Sequence, residues 1–285
     1  MNHSGFLLID KPRDWTSADV CRKVKKIFNT KKVGHTGTLD PFATGLLIVA
    51  VNRATRLIPY TKKSRKTYIA VFELGKTSPT LDPESDTIEK PLEKIPSAEE
   101  VKNVLEKHFV GNITQIPPNF SAVKINGKRA YDLARKSETF EIKPRETEVF
   151  SAEILAYNFP ILELKITVAA GFYVRSLARD LAKKFRGGGM CVSLKRIAIE
   201  DTTLENAAEI SVENLLPAEK IIHLEKIKLD NVADIKRFLC GNKIRIDKEE
   251  VGTFLVYDSV ELLGVGIAEN GVLRPKTMYK IFQKL

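Results

Sequence analysis

The sequence predicts an α+β protein with two domains: a mixed, mainly antiparallel sheet with covering helices over residues 1–220, and a small β-rich domain over residues 221–285. Strand and helix patterns alternate irregularly before Asp201, which does not fit a strict βαβ series. A polar stretch over Asp201–Glu219 then separates the last part of the chain. There, Thr253–Tyr257 and Val260–Ala268 read as short strands, and Asn270-Gly271 reads as a hairpin turn.

A short apolar strand over Phe6–Ile9 is followed by an amphipathic helix. Thr16 or Ser17 can cap this helix, because a hydroxyl accepts hydrogen bonds from the unpaired amides of the first turn. Val20 and Val24 open an apolar stripe with the spacing of a core-facing helix. The opposite face is basic and carries Arg22, Lys23, Lys25 and Lys26. Taken alone, this face fits a solvated surface as well as a binding surface for a polyanion.

Two strands and a turn-rich segment continue the larger domain. Leu46–Val51 reads as a fully buried strand, whereas Thr67–Leu74 alternates and places Tyr68 on one face with Ala70 and Phe72. Turn residues are dense in the segment Gly75–Asp86, which therefore predicts a connection.

The following segments have clear local signals. Ser97 and Glu100 form a capping box, in which each side chain pairs with a backbone donor of the other residue, and they open a helix. The further predicted elements are a strand at Ser121–Ile125, a turn at Asn126-Gly127, a short helix at Arg129–Lys136, a strand at Leu162–Val168 and a helix at Val174–Phe185. We expect the glycines from Gly187 to Gly189 to end that last helix in a mobile loop.

Positive charge is concentrated at one end of the chain. The 285-residue sequence has a net charge of +10, and residues 1–66 hold 14 Lys and Arg against four Asp, which accounts for the whole excess. This distribution indicates that a polyanion binds near the N-terminal end. A ribosomal or DNA-binding protein would carry a similar excess, so charge alone does not identify the polyanion.

Composition excludes several classes of protein. With 43% hydrophobic and 29% charged residues, the chain is not of disordered composition. The weakly polar run Phe42–Val51 is shorter than the ~20 residues of a membrane-spanning helix, and Phe6–Ile9 is too short for a signal peptide. We therefore expect a cytoplasmic protein. Cys21, Cys191 and Cys240 lack C-x-x-C spacing and the four histidines lack ligand spacing, so we expect no metal.

The segment Gly34–Gly45 breaks all periodicity and holds the residues best suited to chemistry. Asp40 is the only carboxylate between Asp19 and Glu73, and the surrounding cations favour its ionised form. No Gly-Lys-Ser/Thr follows the glycines, which excludes a phosphate-binding P-loop. The residues alone leave two interpretations of Asp40: a nucleophile or base, or a side chain that caps a turn.

This segment, Gly34-His35-Thr36-Gly37-Thr38-Leu39-Asp40-Pro41-Phe42-Ala43-Thr44-Gly45, resembles the catalytic loop of the TruB family of tRNA pseudouridine synthases. Further family motifs occur in the family's order: Asp10-Lys11-Pro12, Lys66-Thr67-Tyr68, Gln115-Ile116-Pro117-Pro118-Asn119-Phe120-Ser121-Ala122, Gly127-Lys128-Arg129-Ala130-Tyr131, Gly171-Phe172-Tyr173-Val174-Arg175 and Leu194-Lys195-Arg196. One short motif would be weak, but the ordered set is specific.

The resemblance implies an enzyme that isomerises uridine 55 in the T loop of tRNA to pseudouridine without a cofactor or metal. The bond from ribose C1′ to uracil N1 is replaced by a bond to C5, and the base must first be flipped out of the folded loop. Asp40 matches the family nucleophile. Attack at C1′, attack at C6 and removal of a ribose proton are all compatible with an aspartate there.

Five further residues match the family's site. Arg175 matches the arginine that pairs with the catalytic aspartate, and Tyr68 matches the aromatic that stacks on the flipped uracil and helps to remove its C5 proton. Tyr173 and Leu194 match residues that line the base pocket, and His35 matches the residue that fills the space left by the extruded base. Without the resemblance, Arg175 would read as a phosphate-contacting or solvated side chain, and the two tyrosines and the leucine as packing residues.

The sequence also departs from the family pattern. Ala169-Ala170 are less polar than usual, Gly75–Asp86 lacks the usual Thr/Asp-rich pattern, and Lys195 replaces the first of two common arginines. We interpret Lys11 as a strand-end residue or phosphate contact. The departures concern contacts around the site, and every proposed catalytic residue is present.

Residues 221–285 resemble a PUA-like RNA-binding domain, which implies contact with the tRNA acceptor stem through shape and backbone. We expect tRNA as the partner, bound by its T arm, and a monomer that needs neither a membrane nor a guide RNA. Two alternatives stay open: an enzyme whose target is chosen by a guide RNA, as in related eukaryotic and archaeal proteins, and a tRNA-folding module in which catalysis is incidental.

Overall fold

The computed structural model describes residues 3–61, 65–125, 127–136, 138–246 and 251–280. Its helices are α1 Ser17–Ile27, α2 Ala98–His108, α3 Ala130–Arg135, α4 Val174–Lys184 and α5 Val232–Leu239. Its strands are β1 Gly5–Lys11, β2 Val33–His35, β3 Thr44–Val51, β4 Lys66–Leu74, β5 Lys76–Thr77, β6 Ile88–Glu89, β7 Gly111–Gln115, β8 Lys124–Ile125, β9 Lys128–Arg129, β10 Arg145–Asn158, β11 Ile161–Val168, β12 Gly189–Ile199, β13 Thr202–Thr203, β14 Lys226–Lys228, β15 Ile244–Arg245, β16 Gly252–Tyr257, β17 Leu262–Glu269 and β18 Val272–Met278.

Two sheets organise these strands. The larger has nine strands, in the order β1-β3-β12-β4-β11-β10-β7, with β2 beside β3 and β13 beside β12. Within it the short pairing of β3 with β12 is parallel, and the remaining pairs in the described ranges are antiparallel. The smaller sheet has five strands, in the order β14-β16-β17-β18-β15. The predicted α+β class, with a mainly antiparallel sheet and a β-rich C-terminal part, is confirmed.

Strands β1 and β3 are covered on both faces. Because side chains alternate along a strand, Leu7 and Leu47 face α1 and pack against Val20 and Val24. Their neighbours on the other face, which include Phe6, Leu46 and Ile48, join a cluster with Ala218, Ile221, Ile222, Leu255 and Val265. The smaller sheet therefore packs directly on β1 and on β3, the strand that begins at the end of the segment Gly34–Gly45.

Helix α4 covers the centre of the larger sheet. Its stripe of Leu177, Ala178 and Leu181 packs in one cluster with Ala70 and Phe72 of β4. Of the two caps predicted for α1, Thr16 is the one observed, and it forms a capping box with Asp19. The capping box predicted for α2 is present between Ser97 and Glu100. These caps fix where two of the covering helices begin.

Several local predictions need correction. The glycines at 187, 188 and 189 are buried, and a Cβ at Gly189 would lie 2.4 Å from the Ala178 carbonyl, so the expected mobile loop is wrong and β12 begins there. The strand predicted at Ser121–Ile125 is limited to β8. The predicted Asn126-Gly127 turn falls partly outside the described residues. Strand β10, strand β12 and helix α5 had no predicted counterpart.

None of the helices in the described ranges has the length and apolar character that crossing a membrane requires.

Candidate active site

Residues 36–43, which we call the Asp40 loop, connect β2 to β3 and are held from two sides. From α1, Ser17 Oγ accepts a hydrogen bond from the Leu39 amide at 2.9 Å and donates to the Leu39 carbonyl at 3.2 Å. From β12, the Arg196 guanidinium donates to the carbonyls of Gly37 at 3.1 Å and Thr38 at 3.4 Å. The loop is therefore a fixed support for Asp40.

Lys11 binds backbone carbonyls at the base of the same loop. Its side chain is fully buried, and Nζ donates to the carbonyls of Pro12 at 2.9 Å, Pro41 at 3.1 Å and Trp15. Burial lowers the pKa of this ammonium group to about 8. Lys11 ends β1 as expected, but the interpretation as a phosphate contact is wrong because all three ammonium donors go to backbone oxygens.

Gly45 lets β3 approach β12 closely. Its φ is +99°, and a Cβ at this position would lie 2.3 Å from the Arg196 carbonyl oxygen. Only glycine fits a left-handed backbone under another strand. This contact brings Leu194 and Arg196 of β12 next to the Asp40 loop.

Asp40 forms an ion pair with Arg175, the second residue of α4. The distance from Asp40 Oδ2 to Arg175 Nε is 2.9 Å, and the arginine side chain is only 6% exposed whereas the aspartate side chain is 33% exposed. A charge-assisted contact of this length aligns the carboxylate. Asp40 is therefore held in place while one part of it remains open to a ligand.

Three further acceptors hold the Arg175 guanidinium. Nη1 donates to the Thr80 carbonyl at 2.7 Å and to Asp82 Oδ2 at 3.0 Å, and Nη2 donates to the Phe120 carbonyl at 3.0 Å. Asp82 is 1% exposed, and its second oxygen accepts the Glu84 amide at 3.0 Å. The arginine thus cannot turn away from Asp40 without breaking buried hydrogen bonds.

Opposing effects act on the pKa of Asp40. Burial raises it above the usual value, the Arg175 guanidinium lowers it, and the neighbouring Asp82 carboxylate raises it. The net direction is upward. The cations that favour the charged form are visible in the sequence, whereas the burial of Asp40, which acts more strongly in the opposite direction, results from the tertiary fold.

A cleft of about 300 Å³ lies over Asp40 and collects most of the predicted site residues. Asp40, Arg175, Tyr68, Tyr173 and Leu194 all line it. The other lining residues are Thr36, Gly37, Thr38, Leu39, Lys66, Ser121, Ala122, Ala170, Gly171, Phe172, Val174 and Arg196. A carboxylate beside aromatic and apolar walls suits nucleophilic attack or proton abstraction on a small planar ring.

Tyr173 is positioned by Gln115 of β7. The Gln115 side chain accepts the Tyr173 amide at 2.9 Å and donates to the Tyr173 carbonyl at 3.1 Å. This two-way contact fixes the residue that precedes α4. Burial raises the pKa of the Tyr173 hydroxyl, so this side chain stays neutral.

Lys66, the first residue of β4, contributes a cation to the cleft. Burial and the neighbouring Arg196 guanidinium lower its pKa to about 8. Lys66 belongs to the motif Lys66-Thr67-Tyr68, but the sequence did not indicate a role for it.

His35 lies apart from the other predicted site residues. It is half-buried in β2, where it pairs with Val49 of β3, and it is not among the residues that line the cleft. Its Nδ1 is buried without a hydrogen-bond partner, and burial together with Arg196 lowers its pKa. The histidine is thus neutral near pH 7, and it belongs to a short strand rather than to a loop.

Sequence reasoning missed the residues that hold the site together. Asp82 comes from the segment Gly75–Asp86, which was noted only for its turns and its departure from the family pattern. Gln115 and Arg196 were quoted as parts of motifs without a role. The signal available for Asp82 was an aspartate in a polar turn that had no other assignment.

Within the described ranges, no group of three or more His, Cys, Asp and Glu side chains is arranged to hold a metal ion.

Known proteins are similar to this chain over most of its length. The family described as TruB family pseudouridylate synthase (N terminal domain) matches residues 25–174. A protein of Aquifex aeolicus named tRNA pseudouridine synthase B is 37% identical, and the match covers 96% of this chain and 99% of that one. Proteins of the same name from Trichormus variabilis and Borreliella afzelii are 37% and 41% identical, with 97% and 88% of this chain covered and 98% and 93% of theirs.

Solved structures share the fold over nearly the whole chain. A crystal structure of a Cbf5-Nop10-Gar1 complex matches with a TM-score of 0.74 at 22% identity, covering 98% of this chain and 86% of the other. An H/ACA RNP bound to a substrate RNA matches with a TM-score of 0.73 at 20% identity, with the same coverage of 98% and 86%. At these identities the likeness concerns the fold.

Proposed function

The chain belongs to the TruB family and is a pseudouridine synthase, an isomerase, and on this premise we propose that it isomerises uridine 55 in the T loop of tRNA with Asp40 as the nucleophile. The tRNA substrate is supported by the names of the curated relatives, which match this chain over almost its full length.

The ion pair between Asp40 and Arg175 at the floor of the cleft carries this proposal. It places a partly open carboxylate, aligned by a buried guanidinium at 2.9 Å, where a planar base can enter. The geometry therefore favours the nucleophile over the alternative in which Asp40 caps a turn.

The reaction is redox-neutral and balances within the substrate. The bond between C1′ and N1 breaks, C1′ bonds to C5, and the proton lost from C5 is balanced by a proton gained at N1. The cleft is small and bordered by the Asp40 loop, so the target base reaches it by flipping out of the T loop, which costs a few kcal/mol of stacking.

The remaining residues of the site have distinct proposed roles. Tyr68 stacks on the flipped uracil and assists loss of the C5 proton, and Tyr173 and Leu194 border the base. His35 lies outside the cleft lining but in β2, which leads into the Asp40 loop. This position supports its proposed role of filling the space that the extruded base leaves in the RNA.

The proposed partner is tRNA alone. We place the T arm at the cleft and the acceptor stem at residues 221–285, the proposed second domain, and we expect a monomeric enzyme acting in the cytoplasm. No guide RNA is needed in this proposal, because the Asp40 cleft and the basic face of α1 belong to the same chain.

The deciding experiment maps pseudouridine after purified protein is incubated with an unmodified tRNA transcript and no other RNA. Modification at position 55 is expected, with a higher kcat/KM on full tRNA than on an isolated T-arm hairpin if residues 221–285 contact the acceptor stem. Modification only after addition of a cellular RNA fraction would favour the guide-RNA alternative instead. Tight binding without any modification would favour the tRNA-folding module.

Asp40→Asn is expected to lower turnover by about 10⁴-fold or more, because the amide removes the nucleophile but keeps the shape of the side chain. Release of tritium from C5-labelled tRNA measures turnover, and filter binding should show an affinity within a few-fold of the parent. Asp201→Asn, at an exposed carboxylate outside the cleft lining, is the matched control and should be fully active. Retained turnover in Asp40→Asn would remove the nucleophile assignment.

A further inference from the structure

A surface depression beside the Asp40 loop is built around Trp15, the single tryptophan of the chain. Trp15 is 36% exposed, and the depression is lined by Asp14, Trp15, Asp19, Arg22, Lys23 and Lys26. None of these residues lines the cleft over Asp40. The depression thus combines one aromatic ring with three cations and two carboxylates.

Two contacts fix this depression relative to the Asp40 loop. The Asp14 amide donates to the Pro41 carbonyl at 2.9 Å, and Lys11 Nζ donates to the carbonyls of both Trp15 and Pro41. Pro41 directly follows Asp40 in the chain. A ligand that contacts Trp15 therefore contacts a surface rigidly connected to the catalytic carboxylate.

The charges around the ring are suited to a polyanion. Lys23 Nζ lies over the Trp15 ring, 5.6 Å from its centroid. Arg22 pairs with Asp19, and in the described part of the chain Lys23 and Lys26 form no ion pair. Two uncompensated ammonium groups beside an aromatic face provide the combination that binds unpaired nucleotides: the ring stacks on a base and the cations contact phosphate.

We propose that the Trp15 surface binds an unpaired nucleotide of the substrate RNA while the target uridine occupies the cleft. This inference rests on the proposed function and extends it, because it assigns a second contact for the same RNA outside the cleft. Stacking requires an open base face, so the nucleotide belongs to a loop or a junction and not to a paired stem. The contact would contribute to affinity and to the register of the target uridine over Asp40.

The position of Trp15 makes the proposal directly measurable, because all tryptophan fluorescence of the protein comes from this residue. Titration of the full-length wild-type chain with unmodified tRNA should quench the emission with the same midpoint as RNA binding measured by filter retention. Polyglutamate of similar total charge serves as a control and should leave the emission unchanged, because it lacks a base to stack.

Substitution gives an independent readout. Trp15→Leu should weaken RNA binding and raise KM by about 5- to 100-fold, with kcat at saturating RNA within about two-fold. Trp15→Phe keeps an aromatic face and should recover most of the loss. Leu155→Ala is a matched control, since Leu155 is 44% exposed and lies on β10, four strands from β3 in the sheet, and its affinity should equal that of the parent.

The outcomes separate this inference from the proposed function. Isomerisation by the wild type together with unchanged emission and parental affinity in Trp15→Leu would overturn the Trp15 surface and leave the function intact. Equal quenching by polyglutamate would also overturn it, because a general anion patch would then explain the change. Absence of isomerisation in the wild type would overturn both. If Trp15→Leu fails to fold, the fluorescence titration of the wild type and the affinity of the Trp15→Phe variant still test whether a nucleotide binds at Trp15.

Discussion

Of the single substitutions outside the Asp40 loop, the one at Asp82 is expected to cause the largest loss of kcat. Asp82 and Asp40 bind different nitrogens of the same Arg175 guanidinium, at 3.0 Å and 2.9 Å. Asp82→Asn keeps the shape but weakens the hold on the guanidinium, and misplacement of a catalytic group by about 1 Å costs on the order of 10²-fold. We expect kcat to fall by about that factor, with KM close to the parental value, in single-turnover and steady-state assays.

The same variant has a signature in the pH profile. In its proposed role as nucleophile Asp40 must be ionised, so activity should be lost as the pH falls through its pKa, which burial and the Asp82 charge raise. Removing the Asp82 charge lowers that pKa, and the acid limb of kcat should therefore move to lower pH. Asp86→Asn, at an exposed carboxylate of the same segment, should change neither quantity. An acid limb that moves to higher pH would contradict the assigned electrostatic role of Asp82.

The contrast between Asp40 and Asp82 shows which part of the site could be predicted. Asp40 lies in a short segment whose glycines, single carboxylate and family resemblance can all be read from neighbouring residues. Tyr68, Tyr173 and Leu194 lie in other short motifs of the same family. Asp82 acts on a residue 93 positions away, and Gln115 acts on one 58 positions away. The tertiary fold brings such distant residues together, so the turn residues around Asp82 do not indicate that it contacts Arg175.

Among secondary-structure elements, those with a strong local signal were predicted and those shaped by the sheet were not. Helices α1 and α2 have capping boxes and apolar stripes, and their positions are confirmed. Strand β10 has 14 residues but mixes exposed and half-buried positions, and its pairing with β11 shifts register twice, which removes a simple alternation. Helix α5 is an exception, because its apolar residues Val232, Ile235, Phe238 and Leu239 have helical spacing and this short helix was still not predicted.

A single methyl group added at Gly189 should disturb the contact between α4 and β12. A Cβ at Gly189 would lie 2.4 Å from the Ala178 carbonyl and 2.6 Å from Ala182 Cβ, both on α4. Overpacking of this kind costs about 1–3 kcal/mol, so Gly189→Ala should lower the Tm by roughly 3–10 °C, as measured by calorimetry. Because α4 carries Arg175 and β12 carries Leu194, turnover should fall as well.

Gly252→Ala is the matched control for this prediction. Its Cβ would meet the ring of Phe254 at 3.4 Å, which is ordinary contact, and Gly252 also begins a strand. We expect its Tm to stay within about 2 °C of the parent, close to the usual range for a harmless substitution. Equal stability of Gly189→Ala and the parent would show that α4 and β12 can separate without cost.

In the whole molecule, the two sheets meet at the strands that support the site. Besides the shared apolar cluster, Arg56 donates to the Met278 carbonyl at 3.1 Å, Tyr60 and Thr277 hydroxyls lie 2.7 Å apart, and Tyr279 donates to the Ser4 carbonyl at 3.1 Å. The sequence predicted a β-rich C-terminal part but not its docking, because interface residues such as Phe6 and Leu46 read simply as buried strand positions.

The charge asymmetry of the chain also gains a structural basis. Of the 14 cations in residues 1–66, Lys11 is fully buried and binds backbone, whereas Lys66 lines the cleft. Arg22 is compensated by Asp19. On α1 the uncompensated cations are Lys23, Lys25 and Lys26, which form no ion pair in the described part of the chain and are exposed. Part of the N-terminal excess therefore supports the site, and another part forms an exposed face of α1 that is available to RNA.

That outer face predicts how binding depends on salt. Each phosphate contact releases counterions, so losing one should reduce the slope of log affinity against log salt by about 0.7–0.9. The double variant Lys25→Ala with Lys26→Ala should therefore weaken tRNA binding and flatten the slope by about 1.4–1.8, as measured by filter binding between low and physiological salt. The double variant Lys102→Ala with Lys107→Ala removes the same charge from exposed positions of α2 and should leave the slope unchanged. Equal effects of the two double variants would indicate that net charge alone attracts the RNA, whereas an effect confined to α1 would show that the RNA lies along this helix beside the Asp40 loop.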